Sequence, residues 1–143
     1  WKRSAPPASM DIFNAPAREV CTVRRERTNT PLQALVTLND PQMVEAAKAL
    51  AQKTIKDAKP TNAGRVDFLA RRLISRPLRA EEQTIVQQSL ADLSMYYTAH
   101  SEDARKLLGV GEMAIDTSMA APELAAWTML VNELLNLDEV LNK

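Results

Sequence analysis

Between Arg24 and Gln33 the chain reads RRERTNTPLQ. Arg24, Arg25 and Arg27 bring three guanidinium groups close together. Their forked N–H donors match the oxygens of sulfate, phosphate or carboxylate. Thr28 and Asn29 add short hydrogen-bonding side chains, and Thr30-Pro31 opens a helix whose first amides also attract anions. Arg24, Arg25, Arg27, Thr28, Asn29 and Gln33 are therefore the candidate binding residues, for an anion or for a partner. A competing use of these arginines is pairing with Glu19, Glu26 or the acidic C-terminal third, the commoner outcome in an evenly charged chain. No aromatic residue interleaves the cluster, which speaks against single-stranded nucleic acid.

Other groups that could do chemistry read as structural. Cys21 is the only cysteine, so the chain holds no intramolecular disulfide and no Cys-based zinc or iron–sulfur site. A reactive thiolate needs a nearby His or a positive helix end, and the only His, His100, is remote in sequence. Cys21 is expected to pack as a small apolar side chain. One His also excludes a multi-His metal centre, and no metal site is assigned. His100 follows Tyr96 and Tyr97 at a helix end, where it suits the helix dipole. Glu81-Glu82 and Glu102-Asp103 fall at helix starts, where acids belong on the same grounds. Asp138-Glu139, after an apolar run, is less easily dismissed as a carboxylate pair, and its plain alternative is a solvated helix end. Gly64, Gly109 and Gly111 form no GxxxxGK or GxGxxG loop. No catalytic residue is assigned.

The elements that must position these groups are helical. Residues 1–18 contain Pro6, Pro7 and Pro16 and no helical period, and are expected to form an extended arm. Val20 to Val23 reads as a short strand-like piece. Residues 19–143 are expected to form the helical domain. Thr30, Pro31 and Gln33 have the spacing of a capping box, and the helix they open stops at Asn39. Asp40-Pro41 starts a second helix running to about Ala58, with Val44, Ala47 and Ala51 on its apolar stripe. A third begins at Thr61 or Asn62 and carries Val66, Leu69 and Leu73. A fourth spans Ala80 to Ala99, with Val86, Leu90, Leu93 and Tyr97 on one face. A fifth follows Ser101 and ends at Gly109 or Gly111. After a loop from Glu112 to Ala120, a sixth opens at Pro122 and buries Leu124, Trp127, Val131 and Leu134. The fold class is thus all-α: a single irregular bundle of about six helices with an N-terminal arm.

Composition sets the outer bounds. The 143 residues are 45% apolar and 25% charged, as in a globular domain. Eighteen basic and eighteen acidic residues cancel, which argues against nucleic acid as a partner. No apolar run approaches the roughly 18 residues of a membrane-spanning helix. Residues 1–30 nevertheless carry six bases against three acids, and residues 101–143 three against eight. That asymmetry suits an arm that packs on the acidic end or reaches a partner. The chain begins at Trp1 rather than Met and is expected to be a piece of a larger protein.

The run from Arg18 to Leu35, RExCxxRRxRTNTPLQAL, continues into LVTLND and is followed later by ELAAWTMLVNELLNLDEVL. Together these segments resemble a C-terminal domain of unknown function from large planctomycete and verrucomicrobial proteins. The likeness runs from about Met10 to Leu141. One departure is Arg79, where that family tends to place a small helix-capping residue. The resemblance implies an exported, periplasmic setting, upstream domains of the same parent protein as partners, and a c-type cytochrome domain elsewhere in that parent. Any haem would belong there, since Cys21 is followed by Thr22, Val23 and Arg24 rather than completing CxxCH. No cofactor is assigned to this chain. Two functions follow as expectations. One is an interaction or structural module that completes the larger protein. The other is part of a redox-linked or polysaccharide-processing enzyme using the Arg-rich segment as its anion site.

Overall fold

A computed structural model describes residues 8–16, 21–24, 28 and 30–141. Its elements are α1 (Ala8–Ile12), α2 (Pro31–Asn39), α3 (Pro41–Asp57), α4 (Asn62–Leu73), α5 (Ala80–Ala99), α6 (Ser101–Leu108), α7 (Ala121–Leu135) and α8 (Asp138–Leu141). The six expected helices are α2 to α7. Two short ones are added. The helix α1 lies in the segment expected to be extended, and it ends on Asn14 at φ 52 with Ala15 N–H donating to Met10 O at 2.9 Å. Asn tolerates the left-handed conformation this helix stop requires. The strand-like expectation at 20–23 fails where it can be read: Cys21 to Val23 form no strand, and Val20 lies outside the described residues. Among the described residues there is no strand to complete the hydrogen bonds of a lone β-branched run.

The helix starts follow from their caps. Thr30 Oγ1 accepts from Gln33 N–H, Asp40 accepts from Gln42 N–H, and Thr61 Oγ1 accepts from Gly64 N–H. Pro follows Thr30 and Asp40 at a position whose N–H would have no helical partner. Arg79 cannot cap in this way. Instead the Glu82 carboxylate reaches back to accept from Arg79 N–H at 2.8 Å, which satisfies the start of α5.

The bundle is built around α7. This helix packs on α3, α5 and α6, and more lightly on α2, α4 and α8. Leu124, Ala125, Ala126, Trp127 and Thr128 are buried in succession, so more than one face of α7 is covered. The expected single stripe was too narrow because α7 is enclosed by neighbours. Fully buried Ala47 and Ala51 on α3, with Ala125 and Ala126 on α7, leave room for close approach. Arg65 of α4 lies 5.5 Å from the Trp127 ring centroid and pairs with Glu123 at 2.7 Å, which fixes α4 against α7.

Polar side chains tie the remaining joints. Asn132 of α7 donates to Leu38 O at 3.0 Å, and Thr37 donates to Asn136 Oδ1 at 2.6 Å, so α7 holds the C-terminal end of α2. Lys48 of α3 is only 1% exposed. Its Nζ donates to Leu108 O, Val110 O and Met113 O at 3.0, 2.8 and 3.2 Å. The charge thus sits at the negative end of α6 with every donor used. Glu45, one turn earlier, accepts from Met113 N–H. Between these contacts Gly111 takes φ +82, and a Cβ there would come within 2.7 Å of Glu45 Cδ. The loop after α6 is therefore clamped from α3.

Candidate functional site

The described part of the Arg/Thr/Asn segment is a junction between the arm and α2. Thr30 and Gln33 form the expected capping box. Gln33 N–H donates to Thr30 Oγ1 at 3.3 Å, and Gln33 Oε1 accepts from Thr30 N–H at 3.0 Å. Gln33 is buried, and both protons of its Nε2 are also used. They go to Ile12 O and Thr28 Oγ1, each at 2.9 Å. Thr28 Oγ1 accepts a second bond from Asn14 Nδ2 at 2.8 Å. Residues far apart in sequence are thereby stitched to the first turn of α2.

This arrangement changes what Gln33 and Thr28 offer a ligand. An anion needs free donors, and the Gln33 amide has spent both of its own within the chain. Arg24 is exposed. Arg25, Arg27 and Asn29 lie outside the described residues. The structure thus brings Thr28 and Gln33 together, with Asn14 and the Ile12 carbonyl as partners that sequence reasoning missed. The signal for them was slight: an Asn in a turn and a backbone oxygen carry no spacing motif.

The outward face of α2 is apolar. Leu32 and Leu35 lie one turn apart and are 61% and 56% exposed. Beside them a cavity of about 270 Å³ opens between the arm and the α2–α3 corner. Met10, Phe13, Val36 and Met43 line it, with Asp40 and Gln42 at its polar edge. Val23 and Arg24 are exposed as well.

The other candidates resolve simply. Cys21 is exposed, against the expectation of a packed small side chain, as are its described neighbours Thr22, Val23 and Arg24. His100 ends α5 as expected. Its Nδ1–H donates to Tyr96 O at 2.9 Å, and its ring stacks on Tyr96 with centroids 4.4 Å apart. Glu82 sits between helices and is bound by both Nη atoms of Arg76, at 2.8 and 3.0 Å. The same guanidinium holds Glu139 of α8 at 3.0 and 2.8 Å. Arg76, helped by the Arg79 amide, holds the Glu82 carboxyl down to about 2. Asp138-Glu139 is thus partly a structural contact rather than a solvated helix end.

The sequence profile of PSD1, a protein family of unknown function (DUF1553), matches residues 1–90. This covers more than half of the chain. The chain belongs to this family. The match takes in the arm, the whole Arg24–Gln33 segment and α1 to α4, and it ends inside α5. The central helix α7 lies beyond it, so the matched span is shorter than the resemblance read from about Met10 to Leu141. Comparison with curated proteins and with solved structures finds no significant match.

Proposed function

We propose that this PSD1-family domain is an interaction module that completes a larger exported protein, docking on upstream domains through the outer face of α2 and the arm. The observation that carries the reading is the exposure of Leu32 and Leu35 on a helix whose inner side is fixed. Thr37 and Leu38 are held by α7, and Gln33 is locked to the arm, so the leucines are presented on a rigid element. Paired exposed leucines beside an apolar cavity are what a protein interface uses at its centre. Arg24, Arg25, Arg27 and Asn29 would supply its polar rim. The internal use of Gln33 and Thr28 favours this partner role over an anion site.

On this reading any haem belongs to an upstream cytochrome domain. The residues here do not fit its attachment: Cys21 lacks the CxxCH sequence, and His100 is engaged at Tyr96. The test is co-purification of the chain with the separately tagged upstream part of its parent. Leu32→Asp with Leu35→Asp should abolish capture while leaving the melting temperature nearly unchanged, since both side chains already face water. Capture undiminished by the double change would refute the α2 interface.

A further inference from the structure

We propose that the outer face of α5, with the adjoining end of α7, is a docking groove for a cationic amphipathic helix of a partner protein. Ile85, Ser89, Asp92 and Tyr96 recur at steps of four, three and four residues, so they share one stripe of α5. The neighbouring stripe, with Leu90 and Tyr97, is buried in the core. Ile85 is 69% exposed and Tyr96 46%. Together with Leu93 and Glu133 the stripe walls an open groove of about 720 Å³.

Charge selects the occupant. Neither α5 nor α7 contains a Lys or Arg. Asp92 accepts from Gln88 Nε2 at 2.9 Å, and Glu133 accepts from Ser89 Oγ at 2.7 Å. Both partners are neutral, and among the described residues neither carboxylate forms an ion pair. Glu82, Glu123 and Asp103, by contrast, are matched by Arg76, Arg65 and Lys106. Two uncompensated acids beside an apolar stripe attract a positively charged partner. They oppose a second copy of the same face, a nucleic acid or an anionic lipid surface. From Ile85 to Tyr96 the stripe is about 16 Å long at about 1.5 Å per residue, the length of three helical turns. A groove of that length along α5, bounded by Glu133 of α7, suits a helix lying in it, with apolar anchors inward and bases toward the rim.

The groove is separate from the α2 face: α5 packs on α4, α6 and α7, and α2 on α1, α3 and α7. The probe is a synthetic peptide of about 14 residues, about four helical turns, with Leu at helical spacing and Lys on both flanks. Calorimetric titration at two salt concentrations should show saturable binding that weakens with salt. The same peptide with Glu in place of Lys should not bind. Ile85→Asp should weaken binding about tenfold or more, equivalent to about 1.4 kcal/mol. Asp92→Asn with Glu133→Gln should remove most of the salt dependence, and Leu32→Asp with Leu35→Asp should change nothing. All these positions are on the surface, and matching melting curves confirm that the variants fold. Equal binding of the Glu peptide, unchanged affinity in Ile85→Asp, or no saturable binding overturns the proposal.

Discussion

A lysine ammonium withdrawn from water needs every donor satisfied, and Lys48 meets that demand with three carbonyls at the end of α6 and in the loop after it. Removing the ammonium while keeping the side-chain length leaves those oxygens without their donor. Lys48→Met should therefore cost about 1–3 kcal/mol, read as a lower denaturant midpoint at unchanged slope. An undiminished midpoint would show that the clamp contributes nothing. Gly111 belongs to the same joint. An alanine there must adopt φ +82 and crowd Glu45, so Gly111→Ala should destabilise by about 1–2 kcal/mol. Glu82 makes an acid-sensitive joint. Its carboxyl is lowered from its ordinary value of 4.5 to about 2, chiefly by Arg76. The stabilisation this provides is complete above 4.5 and is lost as pH falls toward about 2. Glu82→Gln should flatten the fall in melting temperature across that window. An acid slope identical to the parent's would rule the pair out as its source.

At the scale of elements, helix starts were the most legible feature. Thr30-Pro31, Asp40-Pro41 and Thr61 cap as their types dictate, because a cap is a local event within one turn. The partners of polar side chains were not legible, because they depend on which helices meet. Lys48 follows two alanines in a helix with other lysines and looks like a solvated residue, and only the last carbonyl of α6 and the loop after it, laid over α3, take up its ammonium. Arg76 reaches Glu82 and Glu139 after Ser75 turns the chain at φ 62, a conformation that no spacing announces. Gln33 was read correctly as a capping residue, but its Nε2 contacts to Ile12 and Thr28 were hidden by the turn at Asn14. That anchor is testable. Gln33→Ala should raise amide exchange at Asn14 and Ala15 about tenfold by loosening the arm, with α3 and α7 unaffected. Exchange that rises uniformly through the bundle would instead show Gln33 to be part of the global core.

For the molecule as a whole, charge asymmetry was visible in composition, but its use was not. The described arm meets α2 through Asn14, Ile12 and Thr28. Enclosing α7 on several sides consumes much of the apolar surface of the bundle, yet it leaves Leu32 and Leu35 of α2 outside, and Ile85, Met95 and Tyr96 of α5 as well. The proposed docking surface is therefore the exposed face of α2. The most direct measurement of this proposal is calorimetric titration of this chain into the separately expressed upstream part of the proposed parent protein, at low and high salt. Docking through this face should give saturable binding that weakens with salt through Arg24, Arg25 and Arg27 and that disappears with Leu32→Asp and Leu35→Asp. No heat of binding, with a cooperative melt of the isolated chain, would contradict it and leave the domain autonomous.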